Sequence, residues 1–302
     1  MTFGSLFSGI GGGDLGLEQA GMAPLWQIER DKQARAVLER HWPDVPRYGD
    51  ITELTDMAAL PGVDVIIGGD PCPCRSRARG AHESSSPDLF PEFLRIVQAQ
   101  RPRWVLRENV VAGDVDACAE AFARLGYAVV VAEVDSAQVT GQSRPRQYLL
   151  GVLRSSGLCP VFALSQREGM GRDPEAGKEA QAPGPCLSTN PRRWDTRDGY
   201  VTEPHPTLMA KPGKGDHNAR EAFVADCVLA GHDKASHDQT FLDEHGPGLR
   251  ILSAAEREKL QGFPPEWTDG HSFTARCRML GNAMTVPVVR HFGEAIIAME
   301  TP

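Results

Sequence analysis

The stretch VDVIIGGDPCPCRSRARG, residues 63–80, predicts a buried strand that ends beside a rigidly held thiol. The apolar run at residues 63–67 is typical of a strand, and two glycines that can adopt positive φ end it. Cys72 follows between two prolines. In an open α/β sheet, ligands bind at the carboxyl ends of the strands. The stretch therefore predicts a cysteine nucleophile, with a small buried hydrophobic residue as the alternative interpretation of Cys72.

A basic loop follows the cysteine, with arginines at alternate positions: Arg75, Arg77 and Arg79. Positive charges on a loop bounded by glycine and serine can approach an anionic polymer. The net charge of −8 argues against a protein that coats nucleic acid unspecifically, but it permits a local basic cleft. The loop indicates that the nucleophile acts on nucleic acid.

The composition is typical of a globular protein with a large core. The 302 residues are 41% hydrophobic and 24% charged, and they are enough for two lobes. No apolar run is long enough to span a bilayer and the N-terminus lacks a basic segment, so we expect a cytoplasmic protein. The 7 cysteines are widely spaced and lack the paired CxxC of a zinc site, so we expect reduced thiols and no metal.

A glycine-rich turn near the N-terminus predicts a second ligand-binding strand end. Residues 2–7 are expected to form a strand, which SGIGGG at residues 8–13 separates from a helix. The amides of such a turn can meet a ligand, although many strand-to-helix turns carry glycine only for tight packing. Glu29 ends the next predicted strand, where an acid can accept the hydroxyls of a ribose. Together with Asp50 on a later loop, Glu29 predicts a nucleoside-containing cofactor; solvated strand-end acids are the alternative.

Strands and helices alternate over the rest of the first 152 residues. Further strands are predicted at residues 102–106, 127–133 and 147–152, and helices at residues 32–40 and 114–125 and after the N-cap Ser86 with Pro87 in the first turn. This repetition predicts an α/β fold with a mostly parallel sheet and helices on both faces.

Polar residues are expected at the edge of this sheet. Glu108 follows the predicted strand at residues 102–106. Arg144 and Arg146 alternate on an extended segment, where both can contact phosphates or the polar edge of a base.

The second half of the chain predicts a smaller, irregular lobe. Residues 165–248 are rich in glycine, proline, aspartate, histidine and arginine. We predict domains at residues 1–164 and 165–274, followed by a C-terminal segment at residues 275–302 that returns to the first domain. A capping box at Ser253 predicts a helix, and an apolar stripe in the final segment predicts another that packs on the first lobe.

The motifs, in their order along the chain, resemble those of the DNA cytosine-5 methyltransferase family from end to end. FSGIGG at residues 7–12 is similar to its cofactor-binding turn, and GGDPC at residues 68–72 is similar to its catalytic Pro-Cys loop. ENV at residues 108–110, QSRPR at 142–146 and GNA at 281–283 are similar to its ENV, QxRxR and closing motifs.

The resemblance implies the Rossmann-like fold of an S-adenosylmethionine-dependent methyltransferase, with residues 165–274 as the target-recognition domain. It implies S-adenosylmethionine as cofactor and double-stranded DNA as partner, in a monomeric bacterial or phage enzyme of the restriction-modification type. The cofactor-binding residues that it implies are Phe7, Ser8, Gly9, Ile10, Gly11, Gly12, Glu29, Asp50, Ile51, Asp70, Pro71, Leu89, Asn282 and Ala283.

The implied reaction is methyl transfer to carbon-5 of a cytosine flipped out of the duplex. The implied catalytic residues are Cys72, Glu108, Arg144 and Arg146. Cys72 would add to carbon-6 and so activate carbon-5, while Glu108 would hold or donate the proton at N3 and Arg144 would support the carbonyl. The implied nucleic-acid-binding residues are Arg75, Ser76, Arg77 and Arg79.

Three residues depart from the family pattern, namely Asp70, Pro73 and Arg107. If Arg107 or Arg75 faced the sulfonium methyl, it could pair with a carboxylated donor and the product would be 5-carboxymethylcytosine. The alternative is that Arg75 contacts DNA phosphate and that Arg107 points away from the pocket, because neighbouring residues of a strand face opposite sides. This alternative is favoured, since ordinary methylation needs no extra assumption.

Three other classes of protein share parts of this pattern. A tRNA cytosine-5 methyltransferase would use the same residues, so it stays open. A Rossmann oxidoreductase has no use for Cys72 beside Glu108, and a binding-only homologue would be expected to have lost one of the two.

Overall fold

A computed structural model of the chain describes residues 1–56, 60–71, 88–111, 115–140, 142–158, 240–243 and 246–301. In chain order the strands are β1 (Thr2–Leu6), β2 (Ala23–Ile28), β3 (Arg47–Tyr48), β4 (Val65–Gly68), β5 (Trp104–Val110), β6 (Tyr127–Asp135), β7 (Pro145–Leu153), β8 (Thr240–Asp243) and β9 (Gly246–Ile251). The helices are α1 (Gly12–Gln19), α2 (Lys32–His41), α3 (Phe90–Gln100), α4 (Val115–Arg124), the single turn α5 (Ala137–Thr140), α6 (Ala254–Gln261), α7 (Phe273–Asn282) and α8 (Val286–Glu300). Residues Arg154–Ser156 form a short 3-10 helix.

The first seven strands form one sheet, in the order β3-β2-β1-β4-β5-β7-β6. Strands β1 to β5 pair in parallel, whereas β7 is antiparallel to both β5 and β6. The connection from β6 to β7 covers only residues 136–144, which is shorter than the crossover of about a dozen residues that a parallel pair requires. The prediction of an α/β fold with a mostly parallel sheet is confirmed.

Apolar side chains cover both faces of this sheet, as β4 illustrates. Val65 and Ile67 pack on one face with α1 and α8, and Ile66 packs on the other face with α3 and α4. The period of two follows from the pleat of a strand. Each face buries a separate hydrophobic cluster, and helices are present on both faces as predicted.

The C-terminal helix α8 packs closely on α1. A Cβ at Gly16 would lie 2.7 Å from Cβ of Val289, and a Cβ at Gly293 would lie 2.7 Å from Cβ of Ala20. The two helix backbones approach this closely only because glycine stands at both positions. The end of the chain therefore packs on helix α1.

Residues before α7 also pack on the first lobe. The capping box at Ser253 is present, since its Oγ accepts a hydrogen bond from the amide of Glu256 at the start of α6. Phe263 and Trp267 then join a third hydrophobic cluster with Ile10 of the glycine-rich turn and with α2. This part of the predicted second domain therefore lies against the glycine-rich turn and α2.

Two boundaries differ from the sequence prediction. Helix α3 begins at Phe90, after an N-cap at Leu89, and has a proline in its first turn at Pro91. The predicted N-cap Ser86 lies outside the described residues, and the Asp88 carboxylate accepts a hydrogen bond from the amide of Phe90. Strand β5 continues through Glu108 to Val110 because β7 pairs with it along this whole length. Polar residues that were predicted to follow the strand are thus held inside it.

Among the described residues, no helix is long and apolar enough to cross a membrane.

Substituting Gly16 with alanine tests the close contact between α1 and α8. We expect Gly16→Ala to lower the free energy of unfolding by about 1–3 kcal/mol, because the added methyl group overpacks the interface; the better helix propensity of alanine offsets at most about 1 kcal/mol. Urea unfolding measures the change. Gly62→Ala is the matched control, since its Cβ would meet nothing within 4 Å. Equal stabilities of the two variants would contradict the tight contact.

Candidate active site

The glycine-rich turn between β1 and α1 has two different sides. Phe7, Gly9 and Gly11 have left-handed backbone angles, with φ of 51°, 57° and 84°. A Cβ at Gly9 would meet nothing within 4 Å, whereas a Cβ at Gly12 would lie 2.3 Å from the carbonyl oxygen of Met284. Gly9 is thus open to a ligand, while Gly12 permits tight packing.

Glu29 ties the end of β2 to this turn. Its Oε2 accepts a hydrogen bond from the amide of Gly9 at 2.7 Å, and its Oε1 accepts one from the amide of Asp31 at 2.7 Å. Burial raises the pKa of Glu29 above its ordinary value, and the two amides partly oppose that shift. The carboxylate therefore lies beside the backbone that a cofactor would approach.

Asp50 follows the neighbouring strand β3. The amide of Thr52 and then its hydroxyl lower the pKa of Asp50 by donating to the carboxylate. Because the amide of Glu29 donates to the carbonyl of Tyr48 in β3, the two acids end adjacent strands at the same edge of the sheet.

Asp14 is a buried acid beneath the turn that the sequence analysis missed. Its carboxylate accepts hydrogen bonds from the hydroxyl of Ser5 at 3.0 Å and from Nε2 of Gln27 at 2.9 Å. Burial raises the pKa of Asp14 to about 6, against the lowering effect of these donors. The available signal was an acidic residue in the otherwise apolar and glycine-rich start of a helix.

One small cavity brings together distant parts of the chain. The glycine-rich turn, the end of β4, Glu108 of β5 and the segment after α7 all line it. The lining residues that the sequence predicted are Phe7, Ser8, Gly9, Glu108, Asn282 and Ala283, and those that it did not are Ser5, Leu6, Gly13, Asp14, Gly69 and Met284.

Glu108 faces this cavity from the middle of the sheet. Its side chain is 11% exposed, and its Oε1 lies 3.0 Å from Nε of Arg146. A Cβ at Gly69 would lie only 3.2 Å from Oε2 of Glu108, so glycine allows the β4 turn to approach the carboxylate. Tyr148 is opposite Glu108 on β7, and burial, followed by the Glu108 charge, raises the pKa of Tyr148 well above its ordinary value.

Arg144 has different surroundings from Arg146. It is buried just before β7, and its Nη2 donates hydrogen bonds to the carbonyl oxygens of Gly281 at 3.0 Å and Ala283 at 2.9 Å. Arg144 therefore holds the segment that closes the cavity, whereas Arg146 pairs with Glu108.

Asp70 and Arg107, two of the departures noted in the sequence, contact each other. Nε and Nη2 of Arg107 donate to Oδ1 and Oδ2 of Asp70 at 2.5 and 2.8 Å, and both side chains are buried. The guanidinium also lies over the ring of Phe90, 4.7 Å from its centroid. Arg107 therefore pairs with Asp70 on the face of β5 opposite Glu108. This position argues against a contact between Arg107 and a carboxylated donor.

Several predicted cofactor-binding residues do not line the cavity. Ile10 packs in the core with Trp267, whose Nε1 donates to its carbonyl oxygen at 2.8 Å. Ile51 packs in the cluster on the α3 side of the sheet, and Leu89 is buried beside the start of α3. The other predicted cofactor-binding residues that do not line the cavity are Gly11, Gly12, Glu29, Asp50, Asp70 and Pro71.

Five predicted residues lie outside the described residues: Cys72, Arg75, Ser76, Arg77 and Arg79. Within the described ranges, no group of three or more His, Cys, Asp or Glu side chains could hold a metal ion.

The sheet order, the glycine-rich turn flanked by acids and the cavity above β4 and β5 define a Rossmann-like methyltransferase fold. Solved structures agree: the Dnmt2 methyltransferase of S. pombe has a TM-score of 0.66 at 18% identity over 100% of both chains. The methyltransferase EhMeth of Entamoeba histolytica has a TM-score of 0.64 at 12% identity, over 100% of this chain and 99% of its own.

The chain belongs to the C-5 cytosine-specific DNA methylase family, whose model matches residues 1–182 and 214–298. It is similar to the Type II methyltransferase M2.BsuMI of Bacillus subtilis, at 28% identity over 97% of this chain and 75% of the relative. It is also similar to the Type II methyltransferase M.HpaII of Haemophilus parainfluenzae, at 24% identity over 98% of this chain and 89% of the relative. The protein is a DNA cytosine-5 methyltransferase, as its motifs predicted.

Replacing Asp14 with asparagine tests its buried carboxyl group. Because the pKa is about 6 in the folded protein and ordinarily 3.8, the unfolded chain binds fewer protons between these values. Stability therefore falls as the pH rises through this window, by up to about 3 kcal/mol, and stays lower above it. We expect Asp14→Asn to remove this loss, as measured by urea unfolding from pH 4 to 7.

Asp50→Asn is the control of opposite sign. The lowered pKa of Asp50 contributes stability that is present above its ordinary pKa and lost as the pH falls. An unchanged pH slope in Asp14→Asn would contradict the proposed protonation of Asp14.

Proposed function

We propose that this enzyme methylates carbon-5 of a flipped-out cytosine in double-stranded DNA through a covalent adduct with Cys72, and that S-adenosylmethionine is the methyl donor. The observation that carries the proposal is the single cavity lined by the glycine-rich turn, Gly69 and Glu108. Such a cavity joins a site for a nucleoside-containing donor to an acid that can contact a base.

The residues at the turn fit S-adenosylmethionine. Gly9 is open to the cavity, and the N-cap of α1 has no side-chain partner, so backbone amides at this helix start can meet a ligand. We assign Phe7, Ser8 and Gly9 to the bound donor and Glu29 and Asp50 to its nucleoside hydroxyls and base. When bound, S-adenosylmethionine supplies an electrophilic methyl group.

Cys72 makes carbon-5 of cytosine nucleophilic. The cytosine ring reacts poorly at carbon-5, and addition of a thiolate to carbon-6 shifts ring electrons toward carbon-5 and N3. After methyl transfer, the carbon-5 proton leaves and the thiolate is eliminated. A free thiol has a pKa near 8.5, so we propose that the arginines that follow Cys72 favour its anion.

Glu108 stabilises the charge that develops on the ring. In our proposal its carboxyl group holds or donates the proton at N3, and the guanidinium of Arg146, 3.0 Å away, keeps it in position. Arg144 acts indirectly, because its hydrogen bonds fix the backbone of the segment that carries Asn282 and Ala283. A paired base cannot reach this cavity, so the target cytosine must flip out of the duplex.

Replacing Cys72 with alanine tests the covalent route. We expect Cys72→Ala to abolish single-turnover methyl transfer and to leave S-adenosylmethionine binding nearly intact, since the glycine-rich turn belongs to another strand. The wild type should form a denaturant-resistant adduct with a 5-fluorocytosine duplex, because fluorine blocks the final elimination. Gel electrophoresis of the denatured complex measures the adduct.

Cys74→Ala is the matched control and should retain both activities. Methyl transfer by Cys72→Ala would remove Cys72 from the mechanism. The same assay with tRNA in place of duplex DNA tests the substrate: methylated tRNA and unmodified DNA would overturn the assignment to DNA.

Replacing Glu108 with glutamine tests its role in the transition state. We expect Glu108→Gln to lower the single-turnover rate by about 10²–10⁴-fold while DNA affinity changes little, because the proton at N3 matters only as charge develops. Glu29→Ala should show the opposite pattern, a raised KM for S-adenosylmethionine. A loss of DNA affinity as large as the loss of rate would make Glu108 a DNA-positioning residue.

A further inference from the structure

We propose that Asp70 and Arg107 act as one unit that positions the Gly69-Asp70 turn, which leads through Pro71 to Cys72 in the sequence, against the strand that carries Glu108. The inference rests on the proposed function, in which Cys72 is the nucleophile. It assigns both residues as positioning residues for methyl transfer, a role separate from the cavity that holds Glu108.

The pair connects two neighbouring strand ends through both carboxylate oxygens. Asp70 comes two residues after the end of β4, and Gly68 of β4 is paired in register with Arg107 of β5. Two hydrogen bonds, at 2.5 and 2.8 Å, join both carboxylate oxygens of Asp70 to one guanidinium, and such a bidentate contact adds geometric specificity. This geometry limits rotation of Asp70 more than a single contact would.

The backbone of Asp70 is held as well. Nδ2 of Asn109 donates to the carbonyl oxygen of Asp70 at 3.1 Å, and Oδ1 of Asn109 accepts a hydrogen bond from the amide of Val110 at 2.8 Å. Arg107 and Asn109 share one face of β5 because side chains alternate along a strand. Three nitrogen donors from β5, two on Arg107 and one on Asn109, thus hold Asp70 in place.

The opposite face of the same turn meets Glu108. A Cβ at Gly69 would lie 3.2 Å from Oε2 of Glu108 and 3.4 Å from its carbonyl oxygen. The turn therefore contacts both faces of β5, with Asp70 on one side and Gly69 on the other. A shift of Asp70 would move the start of the Cys72 segment relative to Glu108.

Stability alone does not explain a buried ion pair at this position. Desolvation of two charges commonly cancels their attraction, and well-packed apolar residues of similar volume stabilise a protein equally well. A bidentate pair differs from apolar packing mainly in its defined geometry. We therefore assign to Asp70 and Arg107 the role of fixing the position of the Gly69-Asp70 turn.

A double-mutant cycle tests whether the two residues act together. We expect Asp70→Asn and Arg107→Gln each to slow single-turnover methylation and adduct formation on a 5-fluorocytosine duplex by about 10–100-fold, the cost of a small misplacement. The double variant should be as slow as the slower single variant. The Kd for S-adenosylmethionine should stay nearly unchanged. Losses that multiply in the double variant would overturn the inference.

Arg107→Lys separates geometry from folding, because lysine keeps the charge but cannot form the bidentate contact. We expect it to remain folded and yet to slow adduct formation by about tenfold or more. Arg276→Gln is the matched control, since Arg276 pairs with the buried Glu258 away from the cavity; it should lower Tm and leave the rate per folded enzyme unchanged. A wild-type rate in Arg107→Lys would reduce the pair to a purely structural contact.

The wild-type adduct distinguishes the two proposals. If the wild type traps 5-fluorocytosine and the Asp70 and Arg107 variants trap it equally fast, the positioning role fails and the covalent route stands. If the wild type forms no adduct, the covalent route fails and this inference fails with it.

Discussion

The alternation of side chains along β5 is the constraint on which the site depends. Arg107 and Asn109 point to the face covered by α3, where they hold Asp70, while Glu108 points to the face covered by α1 and α8. A slip of one residue would exchange these positions and place a guanidinium in the cavity. Pairing with β7 along the whole of β5 fixes the register, so backbone hydrogen bonds keep Arg107 and Glu108 on opposite faces of the sheet.

Residues near the C-terminus line the same cavity as the glycine-rich turn near the N-terminus. Gly12 of α1 packs on the carbonyl of Met284, and Arg144 holds the carbonyls of Gly281 and Ala283. Gly12 and Met284 are separated by most of the sequence, and Arg144 lies 137 residues from Gly281 and 139 from Ala283. Because α8 also packs on α1 through glycine, the helix that begins at the glycine-rich turn is held from both ends of the chain.

Buried acids near the site differ mainly in their hydrogen-bond donors. Asp14 receives only neutral donors, so burial dominates and raises its pKa to about 6. Glu29 receives two backbone amides and remains at the edge of the turn. Asp70 receives a guanidinium in bidentate geometry. The same functional group therefore serves as a buried polar contact, a candidate cofactor ligand and a structural clamp, because each has different partners.

The sequence by itself determined the α/β fold, the family and the order of the motifs, because strand periodicity, glycine turns and strand-end acids are local signals. It also predicted that Glu108, the glycine-rich turn and Asn282 belong to one site. Only the tertiary structure decided that Arg144 binds backbone carbonyls, that Ile10 and Ile51 pack in the core, and that Asp70 pairs with Arg107. These contacts join residues that are far apart in sequence, and the partner of a buried polar group depends on which strands become neighbours, which no local pattern specifies.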